Sequence, residues 1–354
     1  MRIEHLRGRL RSHGALPLHE QRVLRLWAHA LPQAIGKRKP EDFLPLTLRR
    51  ALPALEADLQ ALAQLREQHP AADGSVRLLV ALADGQAVES VLLPRGGLCV
   101  STQVGCAVGC VFCMTGQSGL LRQLGSAEIV AQVALARTLR PVRKVVFMGM
   151  GEPAHNLDNV VEAIELLGHE GGIGHKNIVF STVGDRRVFE RLPQGRVKPA
   201  LALSLHSTKA DVRRAQMPRA PDITPDELVE FGERYARATG YPIQYQWTLL
   251  AGINDTDEEL DGIVRLLHGK YALLNMIPYN RVDGLAFERP PAERAEAIAR
   301  GLLKRGILTK LRQSAGQDVA AGCGQLRARV VAGEAPVRLV RSPQTGPAVL
   351  TTAA

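Results

Sequence analysis

Three observations predict an α/β fold: short apolar runs recur after residue 140, amphipathic segments separate them, and several of those segments open with helix-starting sequences. The runs are VVF at 145–147, IVF at 178–180, ALALS at 200–204, IQYQWTLL at 243–250 and LLNMI at 273–277. Their length and mainly apolar character read as buried parallel strands. Between them, Ser126 stands ahead of Ile129, Val130 and Val133 as a helix start. Thr224-Pro225-Asp226-Glu227 and Thr256-Asp257-Glu258-Glu259 read as capping boxes, in which a hydroxyl and a carboxylate satisfy the free N–H groups of a first turn. Repeated βα units imply a barrel or an open doubly wound sheet. In either, functional groups gather at the C-terminal ends of the strands.

Ahead of these units, residues 1–75 read as a small, helical, basic module, with Val23, Leu24, Trp27 and Leu31 at helical spacing and Lys37, Arg38 and Lys39 clustered before Pro40. Residues 76–97 follow as a hairpin extension, because VRLLVALADGQAVESVLLP alternates around an Asp84-Gly85 turn. A third segment, 98–334, carries the βα units, and residues 335–354, rich in Pro, Ala and Thr, read as a flexible tail.

With 354 residues and 45% hydrophobic content the chain can bury a sizeable core. It contains no run of about 18 uninterrupted apolar residues and no apolar stretch behind the charges of MRIEHLRGRLRSHG, so it reads as soluble and cytoplasmic, with no membrane partner. Lys and Arg number 45 against 35 Asp and Glu, a formal charge of +10 that favours a polyanionic partner, nucleic acid first. Aromatics are only 4%, which leaves no visible stacking platform and points to contacts with a backbone. Five cysteines, four of them between positions 99 and 113, suit metal and thiol chemistry in a reducing compartment better than a disulfide framework.

Cys106, Cys110 and Cys113 lie in GCAVGCVFCMTG with CxxxCxxC spacing. Soft thiolates select zinc or iron–sulfur centres, and a structural zinc normally takes four protein ligands, whereas no fourth Cys or His lies nearby. Three thiolates suit a [4Fe-4S] cluster with one iron left open. That iron can chelate the amino and carboxylate groups of S-adenosylmethionine (SAM) and pass an electron into its sulfonium. After the strand at 145–147 comes Met148-Gly149-Met150-Gly151-Glu152-Pro153, whose glycines allow close backbone approach to a ligand beside a carboxylate. Ser181, Ser204, Leu205, His206 and Asn280 end or follow other strands at the same mouth, although His206 taken alone reads more readily as a hydrogen-bonded structural histidine.

In order, VESVLLP, CVSTQVGCAVGCVFCMTGQSGLLR, FMGMGEPAHN, FSTVG, LSLHS, LAGIND, IPYN and AAGCGQL resemble the radical SAM RNA adenine methyltransferases: the large-subunit rRNA methyltransferase N group and the chloramphenicol-florfenicol resistance methylases. The resemblance covers about residues 75–330. It implies a partial (β/α)6 radical SAM barrel behind an N-terminal RNA-binding accessory domain. It also implies a [4Fe-4S] cluster on Cys106, Cys110 and Cys113, two SAM per turnover, an electron donor such as flavodoxin or ferredoxin, and a monomer. Gly151, Glu152, Ser181, Ser204, Leu205, His206 and Asn280 match the family's SAM-binding positions.

The resemblance further implies that one SAM methylates Cys323 by polar displacement and that a second yields a 5′-deoxyadenosyl radical, which takes hydrogen from the S-methyl group. The methylene radical then adds to adenine. Cys99 would help resolve the protein–RNA adduct, ending in a Cys99–Cys323 disulfide, and Glu89 would accept a proton, although its alternating position also reads as an exposed strand residue. The implied product is adenosine methylated at C2 in 23S rRNA, with tRNA as a further substrate. Methylation at C8, or of another RNA by a divergent paralogue, is the alternative, because RQSAGQDVAAGCGQL departs from the RGDDIDAACGQL form of the housekeeping group. A noncatalytic iron–sulfur RNA-binding protein would have no use for the Cys99 and Cys323 pair.

Overall fold

The computed structural model describes residues 1–35, 39–117, 119–282 and 284–328. Lys37, Arg38 and the tail from 335 lie outside the described residues. Among the described residues, the helices are α1 (Ile3–Ser12), α2 (Pro17–Ala28), α3 (Pro40–Phe43), α4 (Leu46–Ala61), α5 (Met114–Gln117), α6 (Ser126–Leu139), α7 (Leu157–His169), α8 (Arg186–Arg191), α9 (Ala210–Gln216), α10 (Pro225–Thr239), α11 (Asp257–Leu267) and α12 (Ala292–Lys304). The strands are β1 (Gln64–Pro70), β2 (Val76–Ala81), β3 (Ala87–Leu93), β4 (Gly97–Cys99), β5 (Gln103–Gly105), β6 (Leu120–Gln123), β7 (Lys144–Phe147), β8 (Ile178–Thr182), β9 (Ala200–Ser204), β10 (Ile243–Leu249), β11 (Ala272–Pro278) and β12 (Thr309–Leu311).

One sheet runs β1-β2-β3-β4-β7-β8-β9-β10-β11-β12. Its first four strands are antiparallel, and from β4 onward every pairing is parallel, with helices between successive strands. The five apolar runs are thus β7 to β11, and the curled sheet is a partial barrel rather than a flat doubly wound one.

Register decides what lines that barrel. Cys99 pairs with Val146, Val179 with Ala200, Gln244 with Ala202 and with Leu273, and Asn275 with Lys310. Side chains alternate along a strand, so one face carries Cys99, Lys144, Val146, Ser181, Ala202, Gln244, Gln246, Asn275 and Lys310. The opposite face carries Val145, Phe147, Phe180, Leu201, Leu203, Tyr245, Trp247 and Leu274, all at most 1% exposed beneath the helices. ALALS states this division outright, with leucines packed outward and small residues turned inward.

The hairpin at 76–94 forms as the sequence predicts, Leu82 N–H donating to the Gln86 carbonyl across the Asp84-Gly85 turn. Several local expectations need correction. Residues 64–70, placed in the helical module, form the edge strand β1 on β2, where backbone pairing outweighs a polar sequence. Leu31 falls beyond α2 and is exposed. Ser126 is the first residue of α6; the capping carboxylate of Glu128 reaches back to Gly125 N–H at 2.7 Å, while Ser126 Oγ accepts from Ile3 N–H at 2.8 Å. Thr224 closes a complete box with Glu227. Thr256 caps α11 only in part, since the Glu259 carboxylate accepts from Ser207 Oγ at 2.5 Å and Thr208 N–H at 2.8 Å instead.

Candidate active site

Between β5 and β6, which pair with one another, residues 106–117 carry the cysteines, and Cys106 N–H donates to the Gly119 carbonyl at 2.9 Å across the neck. Gly105 has φ +78°, and a Cβ there would stand 2.0 Å from Gly119 O, so only glycine fits. The loop holds Cys106, Cys110 and Cys113 near the C-terminal ends of the parallel strands. Burial raises all three thiols, Cys106 to about 12, and the charges of Cys113, Cys106 and Glu152 add to the rise at Cys110. The three are close enough to act on one another electrostatically. Among the described residues, no three His, Cys, Asp or Glu side chains converge as ligands of one metal ion, and all cysteine pairs are more than 4.5 Å apart. What fits an iron–sulfur group here is the chemistry of the donor set, three soft thiolates carried by one loop.

Glu152 follows β7 and is buried, its carboxylate accepting from Ala154 N–H and Val183 N–H, each at 3.0 Å. Burial raises its pKa to about 7, against the pull of Thr182 and those two N–H groups. The neighbouring glycines answer to the protein's own packing: a Cβ on Gly149 would lie 2.6 Å from Val100 O, and one on Gly151 would lie 2.6 Å from Gln103 Cβ. Ser181 and Ser204 sit half-buried at the ends of β8 and β9, and Leu205 is fully buried behind them. His206, at φ +58°, accepts from Thr248 N–H at 3.0 Å through Nδ1 and packs edge-on against Phe112. Burial and Arg213 lower its pKa to about 3, so the ring is neutral.

Arg213 is a functional residue that sequence reasoning misses. Its buried guanidinium donates to the carbonyls of Val183 and Ser204, closing the ends of β8 and β9, and Glu152 and Cys110 both feel its charge. Nothing in VRRAQM distinguishes it from a solvent-facing helix arginine.

Cys323 lies in a segment after β12 that is fastened on four sides. Met114 N–H donates to Gly324 O at 2.8 Å and Thr115 Oγ1 to Leu326 O at 2.6 Å, tying it to the cysteine loop. Asn280 Nδ2 donates to Cys323 O at 3.0 Å and to Ser314 Oγ at 2.7 Å. Gly316 N–H donates to Asp73 at 3.0 Å, and Ala72 N–H to Asp318 at 2.9 Å, tying it to the β1–β2 turn. Finally, Arg327 N–H and Ala328 N–H donate to Glu89 Oε2 at 2.7 and 3.1 Å. Glu89 is only 1% exposed and its other oxygen pairs with Arg77, so the exposed-strand alternative is excluded.

Cys99, Cys113 and Cys323 line one cavity of about 980 Å³, the barrel interior, together with Gln244, Gln246, Lys144 and Arg312. Burial and the Cys323 charge raise the Cys99 thiol to about 12; Cys323 is exposed to solvent at the cavity, and the protein around it raises its thiol too, opposed by Arg312. Both thiols are free, as are the other three. The expected Cys99–Cys323 disulfide is thus corrected, because sulfurs more than 4.5 Å apart cannot form a bond of about 2.05 Å.

A partial parallel barrel with a three-cysteine loop at its mouth defines the radical SAM class, and the sequence profile of the Radical SAM superfamily matches residues 100–267. A crystal structure of a radical SAM methyltransferase from Sphaerobacter thermophilus superposes with a TM-score of 0.80 at 33% identity, covering 93% of this chain and 98% of that one. A "Probable RNA methyltransferase" of Methylibium petroleiphilum is 73% identical over 346 residues, 98% of each chain. Another of that description from Pseudomonas aeruginosa is 65% identical over 341 residues, 96% of this chain and 99% of its own. The chain belongs to the radical SAM RNA methyltransferase family, and with it shares SAM-dependent enzymatic activity. Among the described residues, no helix is long and apolar enough to cross a membrane.

Proposed function

We propose that this enzyme methylates the base of an adenosine in RNA, at C2 in 23S rRNA with tRNA as a further substrate, through S-methylation of Cys323. The observation carrying this reading is that two thiols remote in sequence, Cys99 and Cys323, line one cavity with Cys113 of the cysteine loop. A pair of free thiols in a cavity suits relay of a one-carbon group and has no use in plain RNA binding.

When bound, a [4Fe-4S] cluster and SAM supply a methyl group and one-electron cleavage of the sulfonium. Cys106, Cys110 and Cys113 would hold the cluster, a donor set of three soft thiolates. Glu152, Ser181, Ser204, Leu205, His206, Asn280 and the Gly151 backbone would seat SAM at the strand ends, with neutral His206 and Arg213 fixing the local backbone. Cys323, as thiolate, would accept the methyl group that bound SAM supplies, its S–CH3 bond forming as the methyl–sulfonium bond breaks with S-adenosylhomocysteine as the leaving group. Arg312 favours that thiolate. Cys99 faces it for product release, and Glu89 is assigned proton acceptance while its hydrogen bonds hold the segment that carries Cys323. Flavodoxin or ferredoxin would supply the electrons.

Anaerobic reconstitution with SAM, reductant and deproteinised rRNA or tRNA, followed by nucleoside mass spectrometry, tests the reading. It should yield 2-methyladenosine; 8-methyladenosine would move the site on the base, and no methylated adenosine with any RNA would refute the reading. Cys323→Ala should keep iron content and lose RNA methylation.

A further inference from the structure

We propose that Lys144, Lys310 and Arg312, which meet across the open side of the barrel, hold an RNA phosphodiester next to the nucleotide whose base enters the cavity. This rests on the RNA reading above and adds to it a binding site and its ligand chemistry.

The geometry comes from strand register. Lys144 starts β7 on the inward face, Lys310 lies opposite Asn275 on that same face, and Arg312 follows two residues later. β7 and β12 are separated in the sheet by four strands, yet Lys144 and Arg312 line one cavity, so the sheet curls until its last strand faces β7. Arg95 stands at the same rim. Among the described residues, none of these four cations is within salt-bridge distance of a carboxylate, whereas Arg122, Arg186, Arg265 and Arg294 elsewhere on the barrel are. All four are exposed, and partial desolvation at the cavity rim together with the charges of Arg312 and Lys310 pushes the Lys144 ammonium below its ordinary range. Like charges gathered without a counterion are relieved by an anion.

The cavity wall carries a second mark of a missing polar partner. Gln246 is 5% exposed; its Nε2 donates to Gln244 O at 2.8 Å, and its Oε1 is buried with no partner. A hydrogen-bond donor such as an exocyclic base amine would satisfy it. A nucleotide offers both groups at once: a base edge for the wall and a diester for the rim. The SAM-binding residues lie at the strand C-termini, whereas Lys144 begins its strand, so the cations are not consumed by the SAM carboxylate.

The test is fluorescence anisotropy of a fluorescein-labelled RNA hairpin with a loop adenosine, titrated with full-length protein across a range of salt. Lys144→Ala/Lys310→Ala should weaken binding and flatten the plot of log K against log salt by about 2, one for each ammonium removed from the phosphate backbone. Lys144→Arg/Lys310→Arg should restore the slope, and Arg9→Ala, which removes a cation from α1, should leave it unchanged. Unchanged affinity and slope in the alanine pair, or an equal change in Arg9→Ala, would overturn the phosphate site while leaving the RNA reading standing. A wild-type protein that binds no RNA even at low salt would overturn both.

Discussion

The N-terminal layer and the open side of the barrel are both rich in Lys and Arg, and they treat that charge in opposite ways. In α1, Arg7 pairs with Glu20 and Glu170, Arg9 with Asp58 and Arg11 with Glu4 and Glu20, while Arg2 reaches Glu162 on α7. These cations bind the helical layer to itself and to the barrel. At the open side, Arg95, Lys144, Lys310 and Arg312 have no such partners among the described residues. A basic composition therefore does not locate a polyanion; uncompensated charge does. In α1 the arginines are spent on carboxylates of the helical layer and of the barrel beside it.

Breaking the compensated side should give the largest effects. Glu89→Ala would strand Arg77 and free two N–H groups of the Cys323 segment, at a cost of about 3 kcal/mol. Denaturant titration would read the loss, and limited proteolysis should find new cleavage between residues 312 and 328. Glu20→Ala should lower the melting temperature by a few degrees, less than Glu89→Ala, because Arg7 keeps Glu170 and Arg11 keeps Glu4.

His206 handles charge in a third way, by refusing it. Its folded pKa of about 3 lies below the unfolded value of 6.5, so its stabilisation is full above pH 6.5 and is lost as pH falls towards 3. By pH 5 the loss should reach about 2 kcal/mol. Urea midpoints at pH 7 and pH 5 should converge in His206→Asn, which tolerates the left-handed backbone; an unchanged pH response would refute this origin. The smallest effect has the opposite sign. Lys144→Met should raise stability by a few tenths of a kcal/mol once solvent screening is counted, while weakening RNA binding. A drop in stability would show that Lys144 is already compensated.

Much of this architecture is legible in the sequence because burial on two faces writes itself into the residues. VVF, IVF and ALALS mark strands, and the three cysteines and GMGEP mark the strand mouth. Less legible are features set by neighbours distant in sequence. Glu89 alternates like an exposed strand residue, yet the segment at 327–328 covers it. The inward aim of Lys310 follows only from the register of β12, three residues long, and Arg213 becomes a strand-end clamp only once α9 is placed. The disulfide drawn from resemblance describes a bond, whereas this structure holds two separate thiols on a shared wall.

The sheet ends at the three-residue β12 without pairing back onto β1, and the RNA substrate proposed above would make use of that gap. A sealed barrel would demand a small molecule or a free chain end threaded through its rim. An open flank would let the proposed nucleotide enter sideways from the middle of a long polymer. β12 is also the last strand of the sheet, and a strand edge is the kind of surface on which proteins stick to one another. Lys310, placed on that edge, repels a second copy of itself, so one charge keeps the doorway from being papered over.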